Sequence, residues 1–188
     1  MPQANPFASM PPAAAAPWLS LFAEHETVGG SAFNSRWIRS CYGDNALTKA
    51  IAAAPIVCSG TTAGTVGALD AYIEVMLEQF DRTQCTLHGS DQGFHVYAIY
   101  NGLLQQRNVS VDVVPAGSGA VQNLAGLRPR RSTGTGEMIA HRLVSKTIVP
   151  VGGAFRVLNS DGSAAAVVHQ FDRFPELSRW VRSRWSQG

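Results

Sequence analysis

Charge is scarce in this chain: Asp, Glu, Lys and Arg make up 15% of its 188 residues, against roughly 25% in an ordinary soluble domain. The shortage favours a partner, or further chain, that takes up part of the surface. A formal net charge of +2, with no aromatics interleaved among basic runs, gives no support to a nucleic-acid partner. Arg128, Arg130 and Arg131 form one small basic cluster, readable as a solvated loop or as a phosphate contact. No apolar run approaches the ~20 residues a membrane helix needs, and the N-terminus lacks the basic and apolar blocks of a signal peptide. Cysteine is also sparse. Cys41, Cys58 and Cys85 permit one disulfide, leave an odd thiol and fit no zinc-finger or ribbon spacing. The phosphate-loop, dinucleotide-fold, nucleophile-elbow and His-Glu-x-x-His patterns are missing.

What is present describes one globular domain. Apolar residues make up 45% of the chain, enough to build a core without staples. Low complexity is confined to a Pro/Ala-rich segment, 1–17, which leaves 18–188 as the domain, and there is no internal repeat. Trp18 to Ala23 reads as a short buried strand leading into Glu24-His25-Glu26. Residues 34 to 52 read as helical pieces, with Ile38, Cys41 and Tyr42 on one side and Leu47 and Ile51 on a second short helix. Pro55 to Cys58 is an apolar strand ending at Ser59-Gly60. From Thr65 to Phe80, the spacing of Val66, Leu69, Ile73, Met76, Leu77 and Phe80 predicts a helix with that face inward. Asp91 is placed to cap the next helix, which runs through Tyr100. Val109, Val111 and Val113 alternate as a strand. The runs 143–149, 155–158 and 166–169 are strand-like, with turns at Val151-Gly152-Gly153 and Ser160-Asp161-Gly162. A last helix runs from Pro175 to Trp185, with proline in its first turn. The fold class is α/β.

Three polar motifs fall where these elements begin or end, the usual rim of an α/β pocket. They are Cys58-Ser59-Gly60-Thr61-Thr62-Ala63-Gly64, Gly89-Ser90-Asp91-Gln92-Gly93-Phe94-His95 and Val167-Val168-His169-Gln170-Phe171-Asp172-Arg173. Ser59, Gly60, Thr61 and Thr62 offer hydroxyls and amides to a ligand, or simply turn the chain from strand to helix. Asp91 and Gln92 face a pocket from a helix start, where a carboxylate orients sugar hydroxyls or steadies positive charge at an anomeric carbon; the plainer reading is an N-cap. Gly93 permits close approach. Glu24 is a candidate acceptor-side base, or an exposed glutamate. Cys58 as a nucleophile would need a base and an oxyanion hole, and the alternative is a buried or disulfide-bonded thiol. Asp172 and Arg173 support an ion or phosphate, or pair with each other at the surface. Asn108-Val109-Ser110 matches a glycosylation acceptor, a tripeptide common by chance.

Asn34-Ser35-Arg36-Trp37-Ile38-Arg39-Ser40-Cys41-Tyr42-Gly43, the Cys58 and Ser90 motifs, and Val168-His169-Gln170-Phe171-Asp172-Arg173-Phe174-Pro175-Glu176-Leu177 together resemble a group of plant and algal glycosyltransferase-type proteins. Their fold is GT-A, that of nucleotide-diphospho-sugar transferases. The resemblance spans nearly the whole chain. It implies a partial GT-A-like mixed sheet flanked by helices, a nucleotide-sugar donor, a saccharide or glycoprotein acceptor, and the Golgi lumen as the compartment of a complete protein. It also implies Mn²⁺ or Mg²⁺ as a Lewis acid on the departing diphosphate, with His169 as the histidine ligand. Gln3-Ala4-Asn5-Pro6-Phe7 resembles the segment that follows the family's metal-binding Asp-x-Asp-like motif, with Asn5 where the family usually has aspartate. The acidic run and the N-terminal nucleotide-binding strands would then lie upstream of a truncated chain. The alternative is a non-catalytic saccharide-binding or structural remnant of such an enzyme.

Overall fold

The computed structural model describes residues 5, 16–127, 144 and 146–185. The expectations for Gln3, Ala4, Pro6 and Phe7, for most of the Pro/Ala segment and for the Arg128, Arg130 and Arg131 cluster lie outside these residues, and Asn5 is exposed. One compact unit ends at Val114 and a second begins at Pro115. Mixed α/β content is observed in both.

The first unit is built on a three-stranded sheet in the order β2-β1-β3, formed by β1 (Trp18–Thr27), β2 (Pro55–Gly64) and β3 (Ser110–Val114). The central strand β1 pairs parallel with β3 and antiparallel with β2. Its residues from Leu19 to Ala23 are buried on both faces, which explains an apolar run in place of clean alternation. Around the sheet lie α1 (Ala32–Tyr42), α2 (Ala46–Ala50), α3 (Val66–Thr83) and α4 (Ser90–Tyr100). Ser31 caps α1 through the Asn34 amide, and Asn45 caps α2 in a reciprocal box with Thr48, which fixes both helix starts. The core joins Leu19, Leu21, Ile38, Ile56, Val57, Val75, Val96 and Ile99.

Helix α3 forms where its periodicity predicts, but on a different face. Val66, Ile73, Leu77 and Phe80 are 75, 53, 58 and 40% exposed, and Ala68, Val75 and Gln79 are buried instead. Small side chains at Ala68 and Ala71 let the helix lie close to its neighbours. Polar-tipped residues on the inner face have partners: Gln79 accepts from the Tyr42 hydroxyl at 3.2 Å and from Arg82 at 2.6 Å. Apolar spacing alone cannot choose between two such faces. Of the pair expected on the second short helix, Leu47 lies on α2 and is exposed, whereas Ile51 is buried in the 3-10 turn that follows.

The segment joining α3 to α4 is fastened to α1 twice. Cys41 and Cys85 form a disulfide. Four residues further on, Gly89 adopts φ +85, and a Cβ there would lie 2.2 Å from the Trp37 ring, so only glycine admits the indole. Tyr42 and Tyr97 stack with centroids 3.6 Å apart, beneath the Arg82 guanidinium.

In the second unit β4 (Val121–Asn123) pairs parallel with β7 (Val167–His169), and β5 (Ile148–Val151) forms a hairpin with β6 (Ala154–Val157). The hairpin closes through Gly152 and Gly153, both with positive φ, as a two-residue turn requires. Of the strand expected over 143–149, the described residues 144, 146 and 147 are helical and strand begins at Ile148. Helix α5 (Pro175–Trp185) follows a 3-10 turn, Phe171–Arg173, and packs Leu177 against Leu124, Leu127, Val157 and Val168.

Candidate functional site

Strand β2 does not end at Ser59-Gly60. It continues to Gly64 through an irregularity that replaces the expected strand-to-helix turn. Leu21 pairs with Thr62 and Ala23 with Val57, so β2 takes five residue steps where β1 takes two. Cys58, Ser59, Gly60 and Thr61 are therefore pushed out of the ladder, a bulge that re-aims side chains at a sheet edge. Immediately beyond the Ala23–Val57 pair the imbalance reverses. Thr27 pairs with Pro55, and Glu24, His25 and Glu26 on β1 lie opposite Ile56 alone on β2. Two expected site segments thus meet at one place because both strands bulge there.

The start of α4 closes over this bulge. The Gln92 side-chain carbonyl accepts from the Ser59 amide at 2.9 Å, and its NH₂ donates to the Val57 carbonyl at 2.6 Å. These are the two groups that a residue of a parallel neighbouring strand would engage. Gln92 thus satisfies an edge strand with a bond at each end of its amide, which makes it a positioning residue. Beside it, the Ser59 hydroxyl donates to Asp91 Oδ2 at 3.4 Å, and Asp91 is exposed. The N-cap of α4 is Gly89, with no side-chain cap. Asp91 therefore sits in the first turn, its carboxylate against Ser59 and its negative charge at the favourable end of the helix dipole. Gly93 is buried against the Trp37 backbone, 3.3 Å from where its Cβ would be. Its close approach serves helix packing against α1, not a ligand.

Inside the bulge, Cys58 is the one free thiol among the described residues. Burial pushes it up to about 11, and the adjacent Glu24 carboxylate pushes in the same direction, against the Gly60 amide and the Thr61 hydroxyl. A thiol so placed stays protonated at neutral pH and is no nucleophile. The contact places Glu24 next to Cys58 as Asp91 is placed next to Ser59, two carboxylates on neighbouring residues of one bulge. Gly60 is exposed, and Thr61 and Thr62 are half-buried.

Tyr72 of α3 completes the cluster. Its phenol is pushed up to about 12, first by burial and then by the Asp91 charge, while the nearby Thr62 hydroxyl opposes the shift. The Tyr72 hydroxyl lies 2.9 Å from His95 Nδ1. His95 is wholly buried, which holds it down near 3 and so neutral. No motif singles out Tyr72; its signal was a polar-tipped aromatic on the helix face that turned out to be the inner one.

His169, Asp172 and Arg173 belong to the second unit. His169 ends β7 opposite Asn123, and its Nδ1 lies 3.1 Å from Asn123 Oδ1. Burial lowers its pKa, against the Asp172 charge that raises it. Asp172 and Arg173 pair with each other at 3.5 Å, both largely exposed. The Gln170 side chain accepts from the Ala125 amide at 3.0 Å. Among the described residues no group of three or more His, Cys, Asp or Glu side chains is placed to hold a metal ion.

The chain matches no family model, no curated protein and no solved structure. Among the described residues no helix is long and apolar enough to cross a membrane.

Proposed function

We propose that this chain is a glycosyltransferase-type domain of GT-A architecture. Its bulge and α4 start form the saccharide-facing side of a site that moves a sugar from a nucleotide-sugar donor to a saccharide or glycoprotein acceptor. The observation that supports this reading is the exposed Asp91 carboxylate fixed beside Ser59 by the Gln92 latch. A carboxylate and hydroxyls on a rigid strand edge suit the alternating donors and acceptors of a sugar ring.

In this reading Asp91 accepts from sugar hydroxyls and orients them, while Ser59 and Thr61 supply further hydroxyls at the rim. Glu24 takes the proton of the attacking acceptor hydroxyl as its oxygen bonds to the anomeric carbon and the bond to the diphosphate breaks. A divalent cation, if bound, would neutralise the departing diphosphate. On the second unit, His169 is a separate candidate ligand for such an ion, and the described residues complete no metal site there. The Golgi lumen suits this activity, and the Cys41–Cys85 disulfide supports an oxidising compartment.

The test is an NMR titration of the whole chain with a panel of neutral mono- and oligosaccharides, repeated with a nucleoside diphosphate and Mn²⁺. Saccharide-induced shifts at Ser59, Asp91 and Gln92 that vanish in Asp91→Asn are the expected result. Saccharide binding with no nucleotide binding would leave a saccharide-binding module, and the absence of both sinks the proposal.

A further inference from the structure

We infer that the outward face of α3 docks an amphipathic helix of a basic partner protein, one whose apolar stripe is edged on one side by lysine or arginine. The surface belongs to the first unit, and the inference stands whether or not the chain binds a saccharide.

Val66, Ile73, Leu77 and Phe80 lie in the open along this helix, and Leu69 and Met76 beside them are half-buried. On a helix these positions fall within one stripe about 100° wide and roughly 21 Å long. Single exposed apolar residues are ordinary, but a contiguous row of them marks a contact surface. The spacing of the row says what kind of element lies on it. Val66, Ile73 and Phe80 recur at heptad intervals, with Leu69 and Met76 at the intervening positions, the pattern by which one helix receives the side chains of another. A strand, with its period of two, cannot follow such a row.

The border of the stripe sets the charge of the partner. Asp70, Glu74, Glu78 and Asp81 are all exposed and follow one another along the side of α3 next to Val66, Ile73 and Leu77. Arg107 answers two of them, Glu74 at 3.4 Å and Glu78. Asp70 and Asp81, the two nearest the stripe, make no ion pair among the described residues. They stand three turns apart on one line, roughly 16 Å along the axis. The other border of the stripe, at Leu69, Met76 and Thr83, carries no charge on α3. A second copy of the chain is therefore a poor occupant: an antiparallel two-fold pair of α3 helices sets acidic border on acidic border, and a parallel pair sets it against the uncharged one. An acidic partner meets the same repulsion. A helix with cations three turns apart along one edge meets both carboxylates while its stripe covers the apolar row. The row supplies the affinity, and the exposed ion pairs supply orientation and choice of partner.

The test uses the full chain and two designed helical peptides with identical leucine stripes, one edged with lysine and its twin with glutamate, each followed by fluorescence anisotropy. The lysine peptide is expected to bind roughly tenfold more tightly than its twin, two attractive pairs against two repulsive ones. Asp70→Lys combined with Asp81→Lys is expected to reverse that order. Ile73→Ser combined with Leu77→Ser is expected to weaken the lysine peptide by roughly tenfold or more, with the melting temperature held, since both side chains already face water. Equal affinity for the two peptides, no binding of either, or binding unmoved by the serine pair overturns the inference. So does a dimer of the parent, seen by sedimentation velocity, that the serine pair dissociates, because a second copy then covers the face.

Discussion

Gln92 bonds to Val57 and Ser59 as a neighbouring strand would, through a carbonyl at 2.9 Å and an amide at 2.6 Å. One side chain thus stands in for a missing strand residue and sets the position of the residue before it, Asp91. Replacing it by leucine keeps the volume but leaves a buried donor and acceptor unpaired, at a cost of about 1–3 kcal/mol. Urea denaturation of Gln92→Leu is expected to show that loss, together with weakened saccharide binding. Gln92→Glu is expected to fall between the two, since its carboxylate still accepts from Ser59 but faces the Val57 carbonyl. A Gln92→Leu variant as stable as the parent would remove the latch from the account.

The disulfide closes a sequence separation of 44 residues, and a loop of that size is worth about 4 kcal/mol on the chain-entropy model. It also anchors the segment that leads into Asp91. Reduction, or the double replacement Cys41→Ser with Cys85→Ser, is expected to lower the melting temperature by many degrees and to weaken saccharide binding. Circular dichroism with and without dithiothreitol measures the first effect. A melting curve indifferent to reductant would show that the bond carries no stability.

Cys58 is expected to be silent. Its thiol, pushed up to about 11 by burial and Glu24, offers almost no thiolate at pH 8. An aromatic disulfide reagent is expected to titrate no thiol in the native protein and one after denaturation without reductant. Fast native labelling would contradict the buried geometry.

His95 makes acid stability a specific prediction. Its folded value near 3 lies below the ordinary 6.5, so between those values the unfolded chain binds a proton that the folded chain refuses. The contribution is fully present above pH 6.5 and declines as the pH falls toward 3, by about 1.4 kcal/mol per pH unit. Urea midpoints measured from pH 7 to pH 4 are expected to fall more steeply in the parent than in His95→Gln, whose side chain does not titrate. Equal slopes would show that His95 stays exposed enough to protonate in the folded state.

Local sequence signals carried the element boundaries well. Proline at the start of α5, the alternation around β3 and the Gly152-Gly153 turn each reflect one residue's own backbone preference. The interior was harder to read. On α3 the apolar positions formed a convincing stripe, yet the buried face holds Ala68, Tyr72, Val75 and Gln79, because its partners supply hydrogen bonds that periodicity does not register. The candidate site was legible in composition: Glu24, Ser59, Thr61, Asp91 and Gln92 do gather in one unit. Their arrangement was not, since it depends on two opposed bulges, and a bulge is a property of paired strands that neither strand spells out alone. Gln92 read as chemistry and serves geometry, whereas Tyr72 stood in no motif, yet its hydroxyl lies 2.9 Å from His95 Nδ1, joining α3 to α4.

The exposed stripe of Val66, Ile73, Leu77 and Phe80 on α3 bears on how any of these melting temperatures should be taken. An environment-sensitive hydrophobic dye will find that stripe on the intact molecule and fluoresce before a single residue has unfolded. Thermal-shift traces will begin on a raised baseline and understate the transition. Lyotropic salts, which strengthen apolar contact, will drive the folded chain out of solution earlier than its apolar content alone suggests. Ellipticity and tryptophan emission, at low salt and in dilute samples, are the signals that follow the fold itself.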